Sequence, residues 1–170
     1  MLPKVSFVQK CPSCGGFFLM SRQQPEYGEK CSFEQGNLSY HELKEAWNSL
    51  KCSLDLTDDE RIEMLSMQVW AYNDEYTREN TIPIPSEEQQ YIHNIIDDLI
   101  DLSNVDILLK AELLRETGRF NKSMDLLKNY STESPLKTIF ITMLKERNLA
   151  SNTRPFKIPL NNVGISLLMI

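Results

Sequence analysis

The spacing of apolar residues changes once along this chain, from short alternating runs before residue 39 to a helical period after it. Residues 4–9 alternate well enough to form a strand, and residues 17–20 are a second short apolar run. Residues 11–16, which lie between them, contain proline and two glycines and have the composition of a tight turn. This order predicts a β-hairpin, and the polar residues 21–38 predict a loop.

From Ser39 onward, apolar residues recur every three or four positions, which predicts six helices. The first two helices begin with capping boxes, formed by Ser39 with Glu42 and by Thr57 with Glu60. The second helix carries an apolar stripe along one side, formed by Ile62, Leu65, Val69, Tyr72 and Tyr76. The connections between the helices are short, so all six can share one core.

Turn and capping residues separate the remaining helices. The predicted openings are Ser86 with Gln89 for the third helix, Ser103 with Asp106 for the fourth, Arg119 for the fifth and Ser134 before Pro135 for the sixth. Gly118 is predicted to end the fourth helix, because glycine adopts the left-handed conformation that often follows a helix. The fifth helix is predicted to end near Tyr130 and the sixth near Leu149.

Residues 151–170 form a tail with a different character. Pro155 and Pro159 exclude a helix up to about residue 160, and the residues after it are strongly apolar. Burying large aliphatic side chains is worth roughly 1.5–3 kcal/mol each, enough to offset the entropy lost on ordering them. We therefore expect the tail to dock on the chain itself, with self-association into a homo-oligomer as the alternative.

Composition narrows the class of protein. The 170 residues are 41% hydrophobic and 25% charged, as in globular proteins. No apolar run approaches the ~20 residues that cross a bilayer, and the first residues lack a secretory apolar region, so we expect a cytoplasmic protein that contacts no membrane. The net charge of −6 disfavours a nucleic-acid binder, since that class is usually basic.

Charge is distributed unevenly along the chain. The formal net charge is 0 for residues 1–56, −10 for residues 57–104 and +4 for residues 105–170. The acidic and basic blocks can attract each other when they pack within the fold. The alternative is that the acidic block is a docking face for a basic partner.

The strongest chemical motif is Cys-Pro-Ser-Cys-Gly at residues 11–15. Two thiolates three positions apart can bind one Zn²⁺ at about 2.3 Å, and a structural zinc site needs four such ligands. Cys11 and Cys14 are therefore predicted zinc ligands, with Cys31 as the third. Cys52 is the preferred fourth ligand and His41 its alternative, while the simpler interpretation makes Cys52 a small buried hydrophobe and His41 a surface residue.

The same Cys-x-x-Cys sequence also occurs in thiol oxidoreductases, but their reactive thiolate lies at the start of a helix. Here two glycines and a strand-like run follow the motif, so a thiol enzyme is the less favoured alternative.

Phosphate-binding, dinucleotide-binding, serine-hydrolase and zinc-protease motifs are absent from the sequence. His93 and Asp97 have helical spacing but are expected to be a solvated surface pair. We therefore predict that the protein is not an enzyme.

Trp70, Asn73 and Asp74 form a second group of candidate binding residues. Trp70 is expected to lie in the core. Asn73 and Asp74 are poor helix formers in the middle of a predicted helix, so another interaction must hold them there. Buried hydrogen bonding between helices is the first explanation, and a ligand pocket is the second.

Residues 105–135 follow the spacing of one tetratricopeptide repeat (TPR). The matching positions are Ala111, Leu114, Gly118, Phe120, Ser123, Leu127, Tyr130 and Pro135. Small side chains at Ala111 and Ser123 let two helices approach closely, and Gly118 closes the turn between them. No second copy is found 34 residues to either side, so we predict a single TPR-like αα-hairpin and not a repeat array.

Several segments resemble a group of uncharacterised bacterial proteins in which a CPxCG zinc ribbon precedes a helical, TPR-like region. The similarity covers about residues 1–130 and is carried by MLPK, VQKCPSCGGFF, GNLSY, WAYND and AELLR. The resemblance implies a bacterial protein with a zinc ribbon, complete or vestigial, joined to helices. The function of the group is undefined, so the resemblance implies no active site.

Together these observations predict a mainly α protein with a zinc-ribbon-like hairpin and loop at 1–38, a six-helix domain at 39–150 and an apolar tail at 151–170. We expect it to bind an unidentified partner protein, with zinc as a structural cofactor. The alternative function is a nucleic-acid-associated ribbon protein. That alternative needs one basic face, formed by Lys4, Lys10, Arg22 and Lys30, with Phe17 or Phe18 exposed for stacking.

Overall fold

The computed structural model describes residues 7–22, 38–77 and 84–155. The two strands are β1 (Val8–Lys10) and β2 (Phe17–Leu19), followed by a 3₁₀ turn at Met20–Arg22. The helices are α1 (Tyr40–Ser53), α2 (Asp58–Tyr72), α3 (Ser86–Asp101), α4 (Ile107–Glu116), α5 (Phe120–Lys128) and α6 (Pro135–Leu149). The predicted mainly helical fold with a small antiparallel hairpin at its start is therefore confirmed.

The hairpin pairs Val8 with Leu19 and Lys10 with Phe17 in an antiparallel register. Val8 and Leu19 are 0% and 1% exposed, so one face of the hairpin lies in the core. β2 packs against α1. A hairpin with only three residues in each strand is marginally stable by itself, so its position depends on this packing.

Both predicted capping boxes are present. The Ser39 hydroxyl accepts from the Glu42 N–H at 3.3 Å, and the Glu42 carboxylate accepts from the Ser39 N–H at 3.1 Å. Thr57 and Glu60 repeat the arrangement at 3.3 and 3.0 Å. The openings of α1 and α2 are therefore as predicted, since each depends only on residues within one turn.

Three helix ends differ from the expectation. Pro85, not Ser86, is the N-cap residue of α3, and its side chain makes no capping hydrogen bond. Asp106 alone caps α4, where its carboxylate accepts from the N–H groups of Leu108 and Leu109, while Ser103 lies before the helix. The second helix changes at Asn73 into one π-helical turn, Asn73–Thr77.

The described residues bury two apolar clusters. We call the first the N-terminal core; it joins the hairpin, α1, α2 and α3 with Val105 and Leu113. We call the second the C-terminal core; its buried members are Leu108, Ala111, Leu127, Phe140, Ile141 and Leu144. α4 takes part in both cores, because Leu108 and Ala111 belong to one and Leu113 to the other.

α4 and α5 form a helical hairpin, joined by Thr117, Gly118 and Arg119. Gly118 has φ +74°, the left-handed conformation expected of the residue that ends α4. The Ser123 hydroxyl donates to the carbonyl of Ala111 at 2.7 Å, and both residues are 0% exposed. Small side chains at these two positions therefore let α5 pack closely on α4.

Some expectations concern other parts of the chain. Lys4, Lys30, Cys31 and most of the apolar tail lie outside the described residues. Docking of the tail and its self-association therefore stay predictions.

Candidate metal centre and polar clusters

The Cys-Pro-Ser-Cys turn closes the hairpin through backbone hydrogen bonds. The Cys11 N–H donates to the Gly16 carbonyl at 2.7 Å, and the Gly15 N–H donates to the Cys11 carbonyl at 2.8 Å. Gly15 has φ +72°, so a residue with a Cβ would be strained there. A Cβ at Gly16 would lie 3.4 Å from Sγ of Cys14, which is an ordinary van der Waals contact.

The turn also favours the thiolate form of Cys11. Hydrogen bonds from the backbone of Cys14 and then of Ser13, together with one involving the Cys14 side chain, lower the pKa of the Cys11 thiol. Burial acts in the opposite direction but is outweighed. Cys14 is exposed, and neither thiol is in a disulfide. Because a thiol binds metal as the thiolate, this turn could supply two of the four ligands of a structural zinc site.

The structure does not group the other described ligand candidates with this pair. Cys52 is exposed near the C-terminal end of α1. His41 lies in the first turn of α1, where its Nε2 is 3.3 Å from the Tyr76 hydroxyl and 3.9 Å from a Glu75 oxygen. Within residues 7–22, 38–77 and 84–155, no three histidine, cysteine or acidic side chains come together as a metal site.

The attachment of the hairpin explains why Cys52 lies apart. Lys10, next to the turn, donates to Glu42 in the first turn of α1 at 3.4 Å. Cys52 is ten residues further along α1, or about 15 Å at the rise of an α-helix. Cys52 would therefore need a rearrangement to join Cys11.

The opposite end of the hairpin is held by Arg22. Its guanidinium donates to both carboxylate oxygens of Glu60, with Nε at 2.7 Å from Oε1, and to the carbonyl of Asp55 at 2.6 Å. The Arg22 hydrogen bonds, together with those from Thr57, lower the pKa of Glu60 to about 2. Arg22 therefore ties the hairpin to the start of α2.

The same contacts bear on the nucleic-acid alternative. Lys10 and Arg22, the two described cations of the predicted basic face, are each paired with a carboxylate. Lys10 also lies 5.4 Å from the centre of the Phe17 ring. Phe17 and Phe18 are only partly exposed. Stacking of bases on this hairpin would therefore compete with contacts already made within the protein.

The three binding candidates near the end of α2 do not share one environment. Asn73 is buried, and its amide donates to both carboxylate oxygens of Glu116 at 3.4 and 3.3 Å. Hydrogen bonding between helices, the first explanation offered for this residue, is therefore present. Trp70 is 38% exposed, so its expected place in the core was wrong, and Asp74 is exposed as well.

Glu116 belongs to a buried charged cluster that sequence reasoning missed. Arg115 is 0% exposed and donates to both oxygens of Glu112, at 2.8 and 2.6 Å, and to the backbone carbonyl of Asn152 after α6. Arg115 lies 3.7 Å from the nearer Glu116 oxygen. The cluster therefore links α2, α4 and the segment after α6.

The protonation of Glu116 follows from this arrangement. Burial, and then the nearby charge of Glu112, raise the pKa of Glu116 to about 8, and the opposing attraction of Arg115 is smaller. Glu112 already neutralises Arg115 through two short hydrogen bonds. Glu116 is therefore mostly a neutral acid near pH 7, and Arg115 faces one carboxylate instead of two.

A second group that sequence reasoning missed lies where α1, α2 and α3 meet. The Tyr40 hydroxyl donates to Glu88 at 2.8 Å, and Lys44 donates to both Glu88 oxygens at 2.8 and 2.9 Å. The rings of Tyr72 and Tyr76 lie 5.5 and 5.8 Å from that of Tyr40. Burial, followed by the hydrogen bond to Glu88, raises the pKa of Tyr40. Aromatic packing and one carboxylate therefore hold three helices together.

Comparison of this chain with models of protein families, with curated proteins and with solved structures returned no match. Among the described helices, none combines the length and the apolar character that crossing a bilayer requires.

Proposed function

We propose that this chain is a non-enzymatic protein-interaction module whose N-terminal hairpin binds a structural zinc ion. Cys11 and Cys14 are the first two ligands, and Cys31 is the third. The observation that carries this proposal is the Cys11 turn, in which backbone N–H groups favour the thiolate that zinc needs. The fourth position is left to Cys52 or His41, and the experiment below distinguishes them.

Zinc has a structural role in this proposal because the hairpin is small and its inner face lies in the core. Val8 and Leu19 pack with residues of α1 and α2, yet the hairpin has only three residues in each strand. A metal bound at its turn would hold the two strands together at their connected end and so keep this face in place. The metal then supports the helices without taking part in a reaction.

The helical part supplies the binding surface in this proposal. The close contact of Ala111 and Ser123 and the conformation of Gly118 support a TPR-like hairpin at α4 and α5. Trp70 is a large apolar side chain that is 38% exposed, and Asp74, four residues further along, is also exposed. Exposed tryptophan is enriched at the centres of protein interfaces, so Trp70 is our candidate contact with a partner protein.

The other two functions have less support. The nucleic-acid alternative would use Lys10 and Arg22, which are already paired. A thiol oxidoreductase would place its reactive cysteine at a helix start, whereas Cys11 precedes a turn and a strand. The lowered pKa of Cys11 is common to a metal ligand and a reactive thiol, so zinc content is the decisive measurement.

The metal is tested by elemental analysis of the full chain, purified without chelators or metal-affinity resin. We expect about one zinc per chain, as a closed site with four ligands binds one ion. Cys11→Ser and Cys14→Ser should each lower the content below about 0.2, because each removes one of the four ligands of a tetrahedral site. A wild-type content below about 0.2 would refute the metal proposal.

Cys52→Ser and His41→Ala identify the fourth ligand in the same assay. Both residues are exposed, so neither change disturbs packing in the core. Loss of zinc in one variant, with the metal retained in the other, assigns the ligand. Retention in both variants assigns it to a residue outside these two and leaves Cys11 and Cys14 as the required pair.

The binding surface is tested by placing a photo-crosslinking amino acid at Trp70 in cells that produce the protein. A matched control carries it at Ile139, which is 45% exposed on α6. We expect a discrete protein adduct from position 70 that is absent from position 139. Equal labelling at both positions, or none at position 70, would contradict a partner surface at Trp70.

A further inference from the structure

An open depression of about 500 Å³ lies between the start of α5 and the end of α6. Phe120 and Leu149 are the large apolar residues that line it. Leu149 is 79% exposed, the highest value among the exposed large hydrophobic side chains of the described residues. A concave surface of this size has room for several side chains of another segment.

The chain leaves α6 beside this depression through a well-defined turn. The Ser151 N–H donates to the Asn148 carbonyl at 3.1 Å, and the Asn152 N–H donates to the Arg147 carbonyl at 2.9 Å. Ser151 has φ +49°, so these bonds form the Schellman motif that ends many helices. Ser151 also lines the depression. The residues after α6 therefore begin at its edge.

A buried arginine holds the next residues in place. Arg115, which is 0% exposed, donates to the backbone carbonyl of Asn152. The Arg154 N–H donates to the Asn152 side chain at 2.9 Å. Residues that follow the last helix of a domain are usually poorly ordered unless contacts of this kind fix them. The path of the chain is therefore specified as far as Arg154.

The segment that follows has a composition that suits an apolar surface. Residues 158–170 contain no aspartate, glutamate, lysine or arginine. The apolar side chains near their end are Val163, Ile165, Leu167, Leu168, Met169 and Ile170. The depression is also lined by the cations Arg119 and Lys122, and an uncharged segment meets no repulsion from them. Removal of these apolar side chains from water therefore favours docking.

The length of the chain permits a return to the depression. Pro155 is four residues beyond Ser151 and so lies at most about 14 Å from this residue at the edge. Val163 is eight residues beyond Pro155, and eight residues can span up to about 28 Å. A proline and two asparagines, which favour turns, lie between them. The residues from Val163 onward can therefore reach Leu149.

We infer that residues 163–170 dock in this depression, where their apolar side chains cover Leu149 and Phe120. The occupant is a segment of the same chain because the turn after α6 places the following residues at the edge of the depression. Docking extends the apolar packing of α5 and α6 at this end of the molecule. The inference uses neither zinc nor a partner at Trp70, so it is independent of the proposed function.

Amide hydrogen exchange of the full chain, measured by NMR, tests the docking. We expect residues 163–170 to exchange at least about tenfold more slowly than in an unfolded chain, because docking buries several apolar side chains. Leu149→Ser should remove most of this protection, since burial of one leucine contributes a factor of about ten or more. The matched control is Ile139→Ser, 45% exposed on the same helix and about 15 Å from Leu149. It should leave the protection unchanged.

A photo-crosslinking amino acid at position 149 identifies the occupant. In a mixture of ¹⁴N- and ¹⁵N-labelled protein, mass spectrometry should find crosslinks from position 149 to residues 163–170 of the same chain. Crosslinks that join the two labels would show that a second copy supplies the segment, and they would overturn the inference.

Three other results would also overturn it. One is unprotected exchange of residues 163–170 in the wild type. Another is an equal effect of Leu149→Ser and Ile139→Ser on this protection, which would mean that the segment docks elsewhere. The third is the absence of any crosslink between position 149 and residues 163–170.

Discussion

The two cores of this molecule are held together in different ways. The N-terminal core includes a hairpin with three-residue strands, and paired charges attach that hairpin at its two ends, through Lys10 with Glu42 and Arg22 with Glu60. The C-terminal core consists of helices alone and has small residues where α4 meets α5. A small sheet needs outside attachment, whereas packed helices satisfy their own backbone groups.

The largest effect is expected where the two cores meet. Arg115→Ala removes the cation between Glu112 and the Asn152 carbonyl and leaves the Glu112 carboxylate, whose side chain is only 15% exposed, without its partner. Breaking a buried ion pair costs about 3–5 kcal/mol, so the free energy of unfolding should fall by that amount. Urea denaturation followed by circular dichroism measures it.

A triple variant is the control for that prediction. Changing Arg115 to Met together with Glu112→Gln and Glu116→Gln removes every charge of the cluster. Most of the lost stability should return, because replacing a whole buried ionic group is often neutral or stabilising. A loss as large as that of Arg115→Ala would show that the charges themselves hold the two cores together.

Arg115 also shows where prediction from sequence ends. The capping residues Ser39 and Thr57 were predicted correctly because each bonds within its own helical turn. An arginine near two glutamates on a helix, in contrast, is usually a solvated surface group. Arg115 donates to the carbonyl of Asn152, which is distant in sequence, and no residue pattern around Arg115 indicates that contact.

The candidate site was predictable to a similar extent. The Cys11 turn follows from local residues, including the glycine at position 15 with its positive φ. Cys52 lies apart from this turn because the hairpin contacts the start of α1, whereas Cys52 is near its end. No residue spacing in the sequence indicates which end of α1 the hairpin contacts. Trp70 was expected in the core, but it lies outside the apolar stripe of α2 and is 38% exposed.

The next prediction concerns pH at the junction of the cores. Glu116 has a pKa raised to about 8, above the ordinary value of 4.5, so the folded protein holds this proton more tightly than the unfolded chain. Its contribution to stability is complete below about pH 4.5 and is lost as pH rises towards 8. The free energy of unfolding should therefore fall as the pH is raised over this range.

Glu116→Gln tests this pH dependence. The amide keeps the shape of the side chain and can still accept a hydrogen bond from Asn73, but it does not titrate. The variant should be as stable as wild type at pH 5 and more stable at pH 8, with Glu146→Gln on the exposed surface of α6 as the matched control. Parallel pH profiles of wild type and Glu116→Gln would show that Glu116 is already ionised.

A smaller effect is expected inside the C-terminal core. Ala111→Leu adds three carbon atoms where the Ser123 hydroxyl lies 2.7 Å from the Ala111 carbonyl. Overpacking of this kind costs about 1–3 kcal/mol, and it should act on α4 and α5 first. Urea denaturation gives the total, and hydrogen exchange should show faster exchange in α5 than in α1. Equal destabilisation of both cores would mean that they unfold as one unit.

The smallest effect is expected at the attachment of the hairpin. Arg22→Gln removes the charged hydrogen bonds to Glu60, and hydrogen exchange at Val8 and Leu19 should become about two- to fivefold faster, as for a partly exposed ion pair. Lys10→Gln is the matched control, since its longer contact with Glu42 should contribute less.

The same ion pair should depend on pH. Because the pKa of Glu60 is lowered to about 2, the contribution of Glu60 to stability is complete above pH 4.5 and is lost as pH falls towards 2. Wild type should therefore approach the exchange behaviour of Arg22→Gln in acid, while the amides of α5 keep their protection. If Arg22→Gln also speeds exchange in α5, the two cores do not differ in how they are held.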